Sequence, residues 1–208
     1  MKCRLCNHQM ISYKTSRKRE YLRCTHCDSI QLSDEYLLNQ AKEKHRYDLH
    51  NNDPNDLFYQ SFVSPVTNHI LTHFNPLHKG LDYGAGPGPV IYHLLKDKSY
   101  QIDLYDPYYY PNQQIFNQKY DYIYACEVIE HFYHPVEDFK KIYELLNHHG
   151  ELILMTSIFN NQIDFDQWHY KNDETHVIFY TNHTLKYIQE TFGFSRLLIQ
   201  DNLIILTK

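Results

Sequence analysis

Two Cys-x-x-Cys pairs, Cys3 with Cys6 and Cys24 with Cys27, stand seventeen residues apart near the start of the chain. Each pair forms a knuckle that turns two thiolates toward one point, and two knuckles complete a tetrahedral site for zinc. His8 and His26 are alternative donors, but four thiolates already close a structural site. Between the knuckles, Met10 to Tyr13 and Glu20 to Arg23 read as short strands joined at the basic tip Ser16-Arg17-Lys18-Arg19. So small a module cannot bury enough apolar surface to fold alone, so metal binding is expected to supply that free energy.

A second chemistry lies in Asp82-Tyr83-Gly84-Ala85-Gly86-Pro87-Gly88. Glycines at a strand-to-helix turn let the backbone bend tightly and approach a ligand. A dinucleotide fingerprint would want the third glycine one residue later, where Pro89 stands. Asp106 follows at the end of the next strand, where a carboxylate can accept hydrogen bonds from ribose hydroxyls. Asp82, at the tip of the first strand, is placed to meet a cationic amino group. Further on, Glu127-x-x-Glu130-His131 sets two carboxylates and an imidazole at i, i+3 and i+4, so that all three can point the same way. Cys126 beside it lacks the proline that usually precedes a nucleophilic cysteine attacking a pyrimidine, and reads as a packed wall.

These groups need elements to hold them. Asp34 to Lys44 reads as a connecting helix, followed by a loop from Tyr47 to Pro54. A better helix is expected from the Ser64 cap and Pro65 at its first position, stopped by Asn75-Pro76. From residue 79 the pattern alternates. Strands Gly80 to Tyr83, Tyr100 to Tyr105, Tyr120 to Ala125 and Leu152 to Met155 are separated by helices carrying Val90, Ile91, Leu94, Leu95 and then Val136, Phe139, Ile142, Tyr143, Leu146. A last helix, Thr184 to Thr191, closes at Gly193, and Ser195–Ile199 with Leu203–Leu206 reads as a terminal hairpin. The expected class is α/β, a doubly wound, mainly parallel sheet with an antiparallel C-terminal hairpin strand. The domains expected are a zinc ribbon at 1–32, a helical linker at 33–64 and the α/β domain at 65–208.

The glycine turn, the two acids and the terminal hairpin together resemble the class I S-adenosylmethionine-dependent methyltransferases, a Rossmann-like fold, over residues 65–208. The resemblance implies that Asp82, Gly84, Ala85 and Gly86 hold the methionine part of that cofactor and Asp106 its ribose, with Ala125, Cys126 and Glu127 along the adenine. Only thirteen residues, Pro107 to Lys119, separate the second strand from the next, so the family's third strand is expected to be reduced or absent. Arg46 to His50, Tyr105 to Pro107, Glu127 to His131 and Trp168 to Val177 look like a bacterial group with a zinc ribbon in front. Glu-x-x-Glu-His segments bind a divalent ion in some members, including small-RNA 2′-O-methyltransferases and ubiquinone-pathway O-methyltransferases, with a later histidine completing the site. Here Glu130, His131 and His176 are the catalytic candidates, holding a second divalent ion or acting directly as base. Trp168 to His176 reads either as a substrate lid or as an inert loop. Asp106-Pro107-Tyr108-Tyr109 looks like the Asp-Pro-Pro-Tyr of amino-group methylases, but that motif belongs after the fourth strand.

The composition fits this reading. The 208 residues are 42% hydrophobic and 22% charged, which excludes a disordered chain. Residues 1–32 carry a net charge of +5 and the remainder −10, a basic head on an acidic body. No stretch approaches the roughly 20 apolar residues of a membrane helix, and Met1-Lys2-Cys3-Arg4 does not open a signal peptide. A cytoplasmic setting with reduced thiols and no membrane partner is therefore expected. Three functions stay open: methyl transfer to an oxygen on a small molecule, RNA modification with the basic ribbon holding the substrate, and a non-catalytic cofactor-binding adaptor.

Overall fold

The computed structural model describes residues 1–49 and 52–208. The expected loop from Tyr47 to Pro54 lies partly outside them, at His50 and Asn51, as does the end of the Arg46 to His50 segment. The central sheet has six strands in the order β5(Gln101–Tyr105), β4(Lys79–Tyr83), β6(Tyr120–Cys126), β7(Leu146–Met155), β10(Leu203–Thr207) and β9(Arg196–Gln200). β5, β4, β6 and β7 run parallel, and β10 inserts antiparallel between β7 and β9. β5 is an edge. A single 3-10 turn, Gln113–Asn117, occupies the connection where a further strand and helix would go. This is the Rossmann-like methyltransferase fold expected, with its third strand absent.

Alternation along the strands sorts residues between two apolar layers. Tyr122, Tyr124, Ile153, Met155 and Ile205 face α2(Leu57–His73) and α3(Val90–Lys96). Ile123, Ala125, Leu152, Leu154 and Ile204 face the side of α4(Pro135–Leu145) and α5(Asn182–Phe192). α5 starts at a Thr181–Thr184 capping box and ends at left-handed Gly193.

Three boundaries differ from expectation. α2 begins at Leu57, not at Pro65, because Asp56 supplies the cap through Oδ1 accepting from the Phe58 amide at 2.9 Å. The two turns before Pro65 carry Tyr59 and Val63 to the sheet, and that packing outweighs the proline's cost of about 3 kcal/mol in a helix interior. Asp34–Tyr36 is a 3-10 turn, and the helix expected there is α1(Gln40–Tyr47), capped by Asn39. Leu146 does not extend α4; it opens β7 opposite Tyr120.

The N-terminal segment forms β1(Met10–Ser16), β2(Arg19–Cys24) and β3(Ile30–Leu32). It does not stand apart. β3 pairs antiparallel with β8(Ile178–Phe179), giving a second sheet ordered β1-β2-β3-β8. Leu5, Tyr21, Ile30 and Leu32 share one apolar cluster with Phe159, Phe165 and Phe179. Among the described residues, no helix is long and apolar enough to cross a membrane.

Candidate active site

At the end of β4 the chain turns through Gly84 and Gly86 at φ +91° and +59°. A Cβ on Gly84 would come within 2.6 Å of both Val128 methyls, so only glycine fits. The Gly84 and Ala85 amides donate to the Tyr105 carbonyl at 2.8 and 3.1 Å, fastening the turn to β5. Asp106 is buried and does more than end a strand. Its Oδ2 accepts from the Gly86 amide at 3.0 Å, and its Oδ1 from the Tyr108 and Tyr109 amides at 2.8 and 3.0 Å. Asp82 is buried as well. Desolvation pushes its carboxyl up to about 7, and the charge of Asp106 acts in the same direction.

These residues open on a cavity of about 1080 Å³, lined by Asp82, Gly84, Ala85, Gly86, Asp106, Cys126 and Glu127 together with His131, Tyr170 and His176. Ala125 is not part of the wall: its side chain points into the core, fully buried, because it alternates with Cys126 along β6. Burial pushes the Cys126 thiol well up, so it stays protonated and is no nucleophile at neutral pH. Glu127 adopts φ +54°, strained for a residue with a side chain, and its amide is held by the Met155 carbonyl at 2.8 Å. Burial, reinforced by the neighbouring Glu130 charge, raises its carboxyl.

The 3-10 turn Ile129–His131 brings Glu130 and His131 against His176. Their ligand atoms lie within 4.8 Å of one another. Glu130 is fully buried, and desolvation raises its carboxyl. Its Oε2 accepts from the Thr156 hydroxyl at 3.0 Å, and that hydroxyl is 2.9 Å from the Tyr170 hydroxyl. Among the described residues its Oε1 has no hydrogen-bond partner. His131 Nδ1 is 2.9 Å from the Thr175 carbonyl, and His176 Nδ1 is 2.7 Å from the Tyr170 carbonyl. Carbonyls only accept, so each ring carries its proton on Nδ1 and leaves a lone pair on Nε2. Those two nitrogens stand 3.9 and 4.0 Å from Glu130 Oε1. Burial lowers both imidazoles below the ordinary histidine range, so both are neutral at pH 7. With Glu130 ionised, three acceptors thus converge with no donor among them.

The same cavity has a roof that sequence reasoning missed. Glu43, Arg46 and Tyr47, spaced on one face of α1, lie over it. Tyr108 and Tyr109 donate to Glu43 and Asp48 at 2.7 and 2.6 Å, and Arg46 pairs with Asp173 at 2.8 Å. Asp106-Pro107-Tyr108-Tyr109, which carried no weight as a methylase motif, therefore latches this helix. The i, i+3, i+4 spacing of Glu43, Arg46 and Tyr47 was the available signal. The Trp168 to His176 segment is a packed wall rather than a free flap: Trp168 and Tyr170 pack at tilted and edge-on angles among Phe159, Phe165 and Phe179.

At the other end of the chain the four cysteine sulfurs also cluster within 4.8 Å. Cys3 and Cys27 are 3.6 Å apart, and Cys6 and Cys24 3.3 Å. Each knuckle closes on a left-handed residue, Asn7 and Asp28, types that tolerate that backbone. Gln31 Nε2 donates to Cys3 Sγ at 3.2 Å and the His26 amide to Cys24 Sγ at 3.4 Å. His8 and His26 stack on each other, with ring centroids 3.9 Å apart, outside the cluster.

Residues 55–198 match the family described as a methyltransferase domain, and the chain belongs to it. Solved structures share the fold. Human N-acetylserotonin methyltransferase, in complex with S-adenosylmethionine, aligns at TM-score 0.53 and 13% identity over 80% of this chain and 56% of its own. An O-methyltransferase family protein from Burkholderia thailandensis aligns at 0.51 and 9% identity over 70% and 55%. Mitomycin 7-O-methyltransferase aligns at 0.51 and 11% over 71% and 53%. The chain thus spans about half the length of these structures. No curated protein sequence matches it.

Proposed function

We propose that the protein is an S-adenosylmethionine-dependent methyltransferase that methylates an oxygen on a small molecule. Asp82 would meet the cofactor's amino group, the backbone of Gly84, Ala85 and Gly86 would pass beside its methionine part, and Asp106 would accept from the ribose. Cys126 and Glu127 would line the adenine side. The buried carboxylate of Asp82, beside which no cation stands among the described residues, and the glycine that no side chain could replace support the fit. So does a cavity large enough for a nucleoside and a second small molecule.

One observation carries the chemistry: the unpartnered Glu130 Oε1 faced by two Nε2 lone pairs. Three acceptors in a buried site repel one another unless a positive charge or a donated proton lies between them. An acceptor hydroxyl entering this point would give its proton to an imidazole, leaving an oxygen nucleophile. The two carbonyls holding Nδ1–H keep each Nε2 ready to receive it. A divalent ion, when bound to Glu130, His131 and His176, would lower the pKa of that hydroxyl instead. Activity lost to a chelator while the zinc content of the cysteine cluster is unchanged, and restored by a divalent ion, supports the ion; chelator-resistant activity with a pH dependence supports the base.

The four cysteines fit structural zinc. Their spacing and the N–H donors on Cys3 and Cys24 suit thiolates around one closed ion. The RNA reading finds less support. Four of the ribbon's seven basic side chains are engaged within the chain: Arg4, Lys14, Arg19 and Arg23. An adaptor would have no use for a fully buried, unpartnered carboxylate oxygen faced by two imidazole nitrogens. Incubating the protein with methyl-labelled cofactor and either the small-molecule or the RNA fraction of a cell extract decides between them. Label is expected in the first, and label confined to RNA overturns the proposal.

A further inference from the structure

The cysteine-bearing segment spends charged donors on the backbone behind the histidines. Arg4, between the two cysteines of the first knuckle, is mostly buried, and its Nη2 donates to the Val177 carbonyl at 2.6 Å and the Leu32 carbonyl at 3.3 Å. The Leu32 amide reaches the same Val177 oxygen at 3.0 Å. On the other side of that residue, the Val177 amide donates to the Glu130 backbone carbonyl at 2.9 Å. Val177, which directly follows His176, is thus clamped between the ribbon and the turn that carries Glu130 and His131. A second clamp lies six residues earlier, at Lys171. Arg19 Nη2 and the Tyr21 hydroxyl both donate to the Lys171 carbonyl, at 3.1 and 3.2 Å, and Arg19 also reaches the Asn172 carbonyl. Lys171 adjoins Tyr170, whose carbonyl holds the proton on His176 Nδ1.

We infer that the ribbon acts in methyl transfer as the positioning element of the catalytic histidines, with Arg4, Arg19 and Tyr21 as positioning residues. Apolar contact alone would suffice to dock a structural appendage. Charge-assisted bonds to particular carbonyls, roughly twice as strong as neutral ones, fix peptide orientation as well. The Arg4 clamp sets where the His176 backbone sits, and the Arg19–Tyr21 clamp sets where the Tyr170 carbonyl points. Together they decide which nitrogen of His176 faces Glu130. The inference rests on the role proposed above for His176, yet its test needs no methyl acceptor.

Arg4→Ala, Arg4→Lys and the pair Arg19→Ala with Tyr21→Phe test it. The readouts are the imidazole nitrogen-15 signature of the His176 tautomer at one fixed pH and amide hydrogen exchange over residues 170–178. Calorimetric affinity for S-adenosylhomocysteine and zinc content complete the set. In wild type, His176 shows the Nδ1–H form. In Arg4→Ala the signature becomes mixed and exchange at Val177 and Ile178 rises by about tenfold or more, the loss of one charged hydrogen bond. S-adenosylhomocysteine affinity stays within about twofold, and Arg4→Lys, which keeps the charge but not the guanidinium fork, restores part of the signature. Should Arg4→Ala fail to fold, the Arg19→Ala and Tyr21→Phe pair shows the same change of tautomer, with faster exchange at 171–173. An unchanged His176 tautomer in a folded variant overturns the inference. So does a parallel loss of zinc, ligand affinity and protection, which marks these residues as structural only. Failure of wild type to bind S-adenosylhomocysteine overturns the proposed function instead, while the tautomer remains measurable.

Discussion

When ionised, Glu130 faces two neutral imidazoles through their lone pairs, an arrangement that costs stability whenever nothing fills the gap. Glu130→Gln puts an amide donor there, and the variant is expected to raise the thermal midpoint by the equivalent of about 1 kcal/mol while abolishing transfer. A thermal scan and a transfer assay check the two halves. Asp82 gives a pH signature. Its carboxyl, pushed up to about 7, is protonated in the ligand-free fold below that pH but charged in the unfolded chain down to ordinary carboxylate values. The ligand-free fold therefore gains stability from this group as pH falls from 7 toward 4. Binding of a cationic amino group moves the other way and should weaken by about tenfold between pH 8 and pH 6. Asp82→Asn should flatten both trends, which unfolding and binding titrations measure. Asp106 already accepts three backbone amides, so Asp106→Ala does two things at once. The loss of cofactor affinity should reach at least the roughly 1.5–3 kcal/mol of a charged hydrogen bond. Asp106→Asn, which keeps one acceptor oxygen, should lose less, and calorimetry on the pair separates ribose contact from loop support.

At the scale of elements, the periodicity of β4, β6 and β7 and of α4 and α5 made the parallel sheet and its hairpin legible. The thirteen residues from Pro107 to Lys119 were too few for a strand and helix, and none forms there. Misreadings came where tertiary contact overrides a local signal. Ser64-Pro65 has the chemistry of a helix start, but Asp56 caps two turns earlier and Tyr59 and Val63 repay the proline by packing. α1 reads as a polar linker because its working face meets a cavity rather than a core. The pairing of β3 with β8 joins Ile30 to Phe179, a separation no local pattern encodes. Glu130, His131 and His176 were legible as types and spacing, whereas the carbonyls that fix their tautomers were not. The β1–β2 turn carries its own test. Arg17 and Lys18 both hold positive φ, at +50° and +63°, where Asn-Gly would sit without strain. Replacing them by Asn-Gly should stabilise the fold by about 0.5–1 kcal/mol in denaturant titration, the usual gain from relieving such positions.

Across the whole molecule, the cysteine-bearing segment and the methyltransferase domain share one apolar cluster and one four-stranded sheet. A zinc ribbon standing by itself would melt alone on losing its metal; the cysteine-bearing segment here cannot loosen without exposing Phe165 and Phe179. Cys24→Ser should therefore lower a single cooperative transition instead of leaving the body's transition in place, which calorimetric scanning with zinc analysis reports. The fold thus couples three places: four cysteines, the histidine pair behind β8, and the glycine turn at β4. What unites them in the proposed function is the cofactor, and the most direct measurement is isothermal titration of S-adenosylhomocysteine into the purified chain at pH 8. One site per chain with an affinity on the micromolar scale is predicted, about 8 kcal/mol of binding free energy, reduced in both Asp82→Asn and Asp106→Asn. No binding by the wild-type chain, or binding that neither substitution weakens, would contradict it.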